Sequence, residues 1–191
     1  EEYEILVPPQ KTPNVTARFQ VIVRLKQGRN VIKLFNPVTS NADSEMYQYI
    51  RMGKALQKAT ARVAKERKQK EKPIVFSVCE WGWGKPYNWG AKAGNLWRTT
   101  PDIRPWWWWI KLIYEHTVKL YPYASKGHYN DPDMLEVGNG KLSYNQNVSH
   151  FSLWCMMNAP LILGNDLRNM SDQVKSIVTN RTLIAINPDS L

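Results

Sequence analysis

The chain has 191 residues, 43% of them hydrophobic and 12% aromatic, with nine tryptophans and a formal net charge of +10. That length and apolar content can bury a real core, in one domain or one domain plus part of another. Much of the positive excess sits in "ARVAKERKQKEK" (61–72), interleaved with Glu66 and Glu71. It reads as the solvated end of a helix, so no nucleic-acid partner is expected.

No run of 18 apolar residues occurs, so no helical membrane span is expected. Two cysteines, Cys79 and Cys155, are too few for a disulfide framework. Both are expected as buried free thiols. Four Asn-x-Ser/Thr triplets, at Asn14, Asn147, Asn169 and Asn180, fix no compartment. The chain opens at Glu1 without a methionine and is expected to be a fragment or a processed product. Export, to the periplasm or outside the cell, therefore stays open.

The first 38 residues read as β. "ARFQVIVRL" alternates, with Phe19, Val21, Val23 and Leu25 on one face. A turn at Gly28 and the run "NVIKLFN" complete a hairpin. A lone hairpin cannot bury its apolar face, so this stretch is expected to be the end of a larger β-sandwich. After Pro37 the period changes. Met46, Tyr49, Ile50, Leu56 and Val63 recur at near-helical spacing, Asp43 or Ser44 can cap the start, and Lys72-Pro73 is expected to stop the helix.

Alternating units follow. "PIVFSVCEW" is the almost wholly apolar run of a strand buried on both faces. "NLWRTTPDI" reads as a second strand end, "WWWWIKLIYEHTVKLY" as a helix and "GHYNDPDML" as a strand end. "NQNVSHFSLWCMMNA" reads as a helix, "PLILGND" as a strand, "SDQVKSIVTN" as a helix and "LIAINPD" as a last short apolar run. This alternation predicts an α/β fold with a parallel sheet. Polar groups gather just after each apolar run: Glu80 and Trp81, Asp102, Asp131 and Asp133, Asn165 and Asp166. Active sites of (β/α)8 barrels are built at those strand ends.

Asp102 draws most interest. In an extended strand Arg98 and Asp102 share a face, as do Cys79 and Trp81. Enclosure by Trp97 and Trp106 would raise a carboxyl pKa, as a general acid requires. Taken alone, Asp102 could equally cap the helix that begins in "RPWWWWIKL", and Asp131 reads as a turn or cap residue in Asn-Asp-Pro.

Five motifs in order, "SVCEWG", "GNLWRTTPDI", "NDPDMLEVGNG", "HFSLWCMMNAPLILGNDLR" and "IAINPD", closely resemble the α-galactosidases of glycoside hydrolase family 27. The resemblance runs from about Phe76 to Asp189. It implies a (β/α)8 TIM barrel followed by a β-sandwich, and cleavage of terminal α-galactosides with retention by two aspartates. It makes Asp102 the general acid/base and places Arg98 beside the catalytic carboxylates. Cys79 and Trp81 would line the sugar pocket, and Asp133 and Met134 would stand near the same subsite. No metal or other cofactor is expected, since His116, His128 and His150 lack ligand spacing.

A retaining mechanism needs a second carboxylate about 5–5.5 Å from the first. The family's nucleophile ends a Lys-Tyr/Phe-Asp motif on the preceding strand. The nearest match here is "IKLFNP" (32–37), with Phe35 where an aspartate would be needed. One reading is a lost nucleophile and a non-catalytic carbohydrate binder. The other, which fits the β-rich upstream text, is that residues 1–38 end a β-rich module inserted after the fourth strand. Residues 39–191 would then hold about strands five to eight, and the partner would be the N-terminal half of the barrel, in the same or another chain. Relatives acting on α-N-acetylgalactosaminides, β-L-arabinopyranosides or isomalto-dextran are the rivals for substrate, and the bulk of Trp81 argues against a 2-acetamido group.

Overall fold

The computed structural model describes residues 41–187, with side chains from Glu45 onward. The expected hairpin and the "IKLFNP" segment lie outside these residues, as do the side chains of Asp43 and Ser44.

The helical period after Pro37 becomes α1 (Asn41–Glu66). Its predicted face packs as its spacing requires: Met46, Tyr49 and Ile50 lie on a core of Val78, Trp89, Ala93 and Trp97. Gly53 permits the close approach, because a Cβ there would fall 1.9 Å from the Ala93 carbonyl oxygen. The basic stretch beyond Ala64 is exposed. The helix stops at Glu66, earlier than Lys72-Pro73. Lys68 turns left-handed, at φ 49°, and Gln69 N–H donates back to the Ala64 carbonyl at 3.0 Å, the kind of closure that ends a helix.

Three short parallel strands follow in the order β1 (Ser77–Val78), β2 (Leu96–Arg98) and β3 (Tyr129–Asp131). Val78 pairs with Trp97, Trp97 with Asn130, and Arg98 with Asp131. Side chains alternate across a strand, so the register sorts them by face. Val78 and Trp97 point into the apolar core under α1, while the next row, Arg98 and Asp131, belongs to the opposite face.

β1 covers only two residues of the predicted run. Ile74 and Val75 are exposed, because among the described residues only the β2 side of this strand is paired. "PLILGND" also falls short of a strand. It makes a single parallel bridge, Leu163 to Leu135. Pro160 supplies no N–H, and Ile162 N–H turns back onto the Pro160 carbonyl.

The "WWWW" run starts α2 (Trp107–Thr117), which tightens into a 3₁₀ segment over Val118–Tyr123 around Pro122. α3 (Tyr144–Met156) opens on a reciprocal capping box between Ser143 and Gln146. α4 (Asp172–Val178) is capped by Ser171. The last apolar run is helical, α5 (Arg181–Ile186), because Asn180 accepts from Thr182 and Leu183 N–H and nucleates a turn. Ile110, Ile113, Leu135, Phe151, Trp154 and Ile177 form the second core.

Cys155 is buried, as expected, but Cys79 is exposed. The core position at the end of β1 goes to Val78, and Cys79 follows it at the mouth of the sheet.

His150 is fully buried, edge-on to Trp154. Its Nε2 accepts from Glu136 N–H at 3.0 Å, so the neutral ring carries its proton on Nδ1. Burial lowers its pKa to about 3. The unfolded chain takes up this proton below about pH 6.5, whereas the folded chain does so only near 3. Stability is therefore fully present above 6.5 and lost as pH falls. Urea unfolding should show about 3 kcal/mol less stability at pH 4 than at pH 7 from this group. His150→Gln should remove that part of the slope, and an unchanged slope would mean that His150 does not carry it.

Candidate active site

The strand ends bring the predicted residues together. β1 ends at Val78 and delivers Cys79, Glu80 and Trp81. β2 ends on Arg98 and leads through a bend to Asp102. β3 ends on Asp131 and leads to Asp133 and Met134.

Arg98 is the junction. Its Nη2 lies 2.6 Å from Asp133 Oδ2 and 3.3 Å from Asp102 Oδ1, and it also donates to the Thr100 carbonyl at 3.3 Å. Arg98 and Asp133 are buried, whereas the Asp102 side chain is 55% exposed. The guanidinium is thus committed chiefly to Asp133, and Asp102 stands at the edge of the charge pair with its carboxyl open to the mouth.

Asp133 is held from all sides. Its own N–H donates to Asp131 Oδ1 at 2.8 Å, and its Oδ2 accepts from Ile103 N–H at 2.8 Å. Oδ1 accepts from Met134 N–H, and the Asp133 carbonyl accepts from Trp154 Nε1–H at 2.9 Å. These bonds hold a backbone at φ 85°, a conformation few non-glycine residues adopt. Asp131 is therefore more than a turn residue, since its carboxylate positions Asp133. Burial raises its pKa, and the Asp133 N–H and Arg98 oppose that shift.

Neither local reading of Asp102 survives. It does not cap α2, whose N-cap is Trp106 with no side-chain capping bond. Nor do the expected aromatics enclose it. Trp97 is turned into the core, where its Nε1–H donates to Asn130 Oδ1 at 2.7 Å, and Trp106 is exposed and stacks on Trp108. What fixes the Asp102 backbone is Trp109, whose Nε1–H donates to the Asp102 carbonyl at 2.9 Å.

On the β1 side, Trp81 (φ 59°) and Gly82 (φ 82°) make a tight left-handed turn closed by Trp83 N–H to the Glu80 carbonyl. Gly82 is required there, because a Cβ would meet the Thr99 carbonyl oxygen at 2.2 Å. The turn leaves Trp81 exposed at the mouth. Cys79 is anchored through its carbonyl, which accepts from Tyr49 Oη–H at 2.8 Å. Desolvation raises the pKa of its thiol, with Arg98 opposing. Met134 is exposed beside Asp133.

Sequence reasoning placed Glu80 at a strand end but gave it no role. Burial, then a contact with Glu45 on α1, pushes its pKa to about 7, against the pull of a bond from Gly84 N–H. The signal was an acidic residue directly after an apolar strand, with a second carboxylate on the preceding helix.

A family model described as alpha galactosidase A matches residues 26–189. Among curated proteins, alpha-galactosidase A of Cellvibrio japonicus is 45% identical over 131 residues, covering 63% of this chain and 32% of that protein. The alpha-galactosidase of Oryza sativa subsp. japonica is 43% identical over 139 residues, covering 73% of this chain and 33% of that protein. The crystal structure of alpha-galactosidase I from Mortierella vinacea superposes with a TM-score of 0.67 at 29% identity, covering 78% of this chain and 40% of that one. The chain spans about a third of the length of the curated relatives it matches.

Removing one partner of a buried ion pair strands the other charge. Arg98→Met should cost about 3–5 kcal/mol by chemical denaturation. A loss below about 1 kcal/mol, as at an exposed pair, would show that the Arg98–Asp133 contact does not anchor the site.

Proposed function

The chain belongs to the alpha galactosidase A family, glycoside hydrolase family 27, and from that premise we propose that it forms the acid/base side of a retaining α-galactosidase. Members of this family are (β/α)8 barrels. The described residues form an α/β unit with a three-stranded parallel sheet and its helices. We take β1, β2 and β3 as barrel strands five, six and seven, and the Leu163 bridge as the remnant of strand eight. Residues 1–38 are assigned to the end of an inserted β-rich module, and residues 39–191 to the C-terminal half of the barrel.

The observation that carries this reading is the sharing of Arg98. The cation is tied to Asp133 at 2.6 Å, while Asp102, 3.3 Å away, keeps more than half of its side chain open. A carboxyl in that position can donate a proton to the oxygen leaving the galactosyl carbon. As a carboxylate it can then take a proton from the water that releases the sugar. Asp133, immobilised by its backbone and Arg98 contacts, is assigned to hydroxyls of the galactosyl ring, with Cys79, Trp81 and Met134 as the walls of that pocket. The indole of Trp81 offers a flat apolar face for a pyranose, and its bulk favours a sugar with a plain 2-hydroxyl.

The nucleophile is assigned to the N-terminal half of the barrel, supplied in the same polypeptide or by another chain. It would attack the anomeric carbon from the side opposite Asp102, forming a glycosyl-enzyme as the leaving group takes its proton.

In the complete protein Asp102→Asn should lower turnover of raffinose or melibiose at least about 100-fold, the low end for loss of a general acid. An aryl galactoside with a good leaving group should be impaired far less in the first step. Near-normal hydrolysis of raffinose by this variant would defeat the assignment. The 191 residues alone should not hydrolyse p-nitrophenyl α-galactoside, and activity of the isolated monomer would place the nucleophile inside this chain.

A further inference from the structure

We propose that the outer face of α1 docks an acidic polysaccharide, a chain of sugar rings that carry carboxylates. This surface is on the side of the helix turned away from the sheet. The inference goes beyond the proposed cleavage and does not depend on the role of Asp102.

The cations of α1 fall in a line. Arg51, Lys54, Lys58, Arg62 and Lys65 recur at steps of three, four, four and three within Asn41–Glu66, which keeps them on one side of a helix. Met46, Tyr49, Ile50 and Gly53 hold the other side against the core and the Ala93 backbone. All five cations are exposed. The stripe is about 21 Å long, with one cation per turn. Arg51, Lys54, Lys58 and Lys65 form no ion pair with a described residue. Arg62 meets Glu66 at 3.7 Å with both side chains more than 60% exposed, too weak a pair to cancel the charge.

The line widens at the helix end. The Thr60 hydroxyl bonds to Glu71 at 2.6 Å and holds the segment 67–72 back toward α1. Arg67, Lys68, Lys70 and Lys72 on that segment are all exposed. Residues 51–72 thus carry nine cations against Glu66 and Glu71, a surplus of seven in a chain whose net charge is +10. Like charges three or four positions apart repel and destabilise a helix, whereas Glu alternating with Lys would stabilise it. A face that gathers cations against this local preference is fitted to an anionic partner.

The spacing points to a sugar polymer. One cation per turn, about 5 Å apart, is comparable with the length of a pyranose ring, so a chain with a carboxylate on each ring can meet a cation on each turn. Arg51 and Arg62 can each grip a carboxylate through two parallel N–H bonds. Tyr47, four residues before Arg51 and in line with it, is 41% exposed and offers a flat ring at the head of the stripe. A nucleic-acid duplex fits less well. It presents one phosphate per about 1.7 Å of axis, several for each cation, and the stripe has no series of aromatics on which single-stranded bases could stack. An anionic bilayer would call for large apolar side chains flanking the cations. Met52, the next exposed large apolar residue of α1, stands about 100° round the helix from Arg51.

The test measures binding of the complete protein to polygalacturonate by calorimetry. Wild type should bind at low salt, and binding should weaken steeply as sodium chloride is raised. The triple variant Lys54→Gln, Lys58→Gln, Arg62→Gln should bind at least about tenfold more weakly, with a flatter salt dependence. Its helix content and its hydrolysis of p-nitrophenyl α-galactoside should be unchanged. Lys54→Arg with Lys58→Arg keeps the charge and should bind as wild type does. Replacing Lys111, Lys119 and Lys141 by Gln removes the same charge elsewhere and should cost less than about twofold. Equal losses in the two triple variants would mark net charge alone and overturn the surface. So would failure of wild type to bind, or tighter stripe-dependent binding to duplex DNA or to phosphatidylserine vesicles. Binding needs no turnover, so a protein inactive on galactosides would defeat the α-galactosidase reading and leave this surface standing.

Discussion

The contact on which the site depends is the buried ion pair of Arg98 and Asp133. Both groups leave water, and at 2.6 Å the pairing must offset a desolvation cost of several kcal/mol per ion. The offset comes from the backbone as much as from the charges. Ile103 and Met134 N–H both donate to the Asp133 carboxylate, and its own N–H and carbonyl are bonded to Asp131 and Trp154. Two strand ends and α3 are thereby tied to one residue. The geometry of Asp102 follows, because Arg98 is fixed by Asp133 before it reaches Asp102.

The same arrangement manages an excess of acid. Asp102, Asp131 and Asp133 surround one guanidinium, and Glu80 lies near Glu45 on the β1 side. Asp133 takes the cation. Asp131 takes an N–H and is pushed toward its neutral form by burial. Glu80 sits near 7 for the same reason, reinforced by Glu45. Distributing protons and one cation in this way lets several carboxyls converge at a strand-end mouth without mutual repulsion dominating.

What could be read from the sequence followed from periodicity and strand-end chemistry. The α1 face of Met46, Tyr49 and Ile50 and the parallel sheet were visible in that way, whereas the gathering of Cys79, Trp81, Asp133 and Met134 around Arg98 and Asp102 was what the family resemblance implied. The misses have local causes. The ends of α1 and of the strands depend on a left-handed Lys68 and on available pairing partners, which apolar runs do not record. The orientation of Trp97 hangs on a hydrogen bond to Asn130, 33 positions away, so adjacency to Asp102 misled. Asp131 looked like a turn residue because its role acts through the Asp133 N–H, and Glu80 was given no role because its partner Glu45 lies on α1.

The fold divides most of the tryptophans into a buried set and an exposed set. Trp89, Trp97 and Trp154 are buried, and each indole N–H is spent: on the Gly84 carbonyl, on Asn130 and on the Asp133 carbonyl. They act as struts, since a buried indole needs a partner and these partners lie on the site's own framework. Trp109 does the same for the Asp102 carbonyl from a half-buried position. Trp81, Trp83, Trp106 and Trp108 are exposed. Packing among the described residues leaves these four indoles between 44% and 80% exposed. One set therefore fixes the carboxylates from within, and the other offers flat apolar faces on the solvent side of the same strand ends.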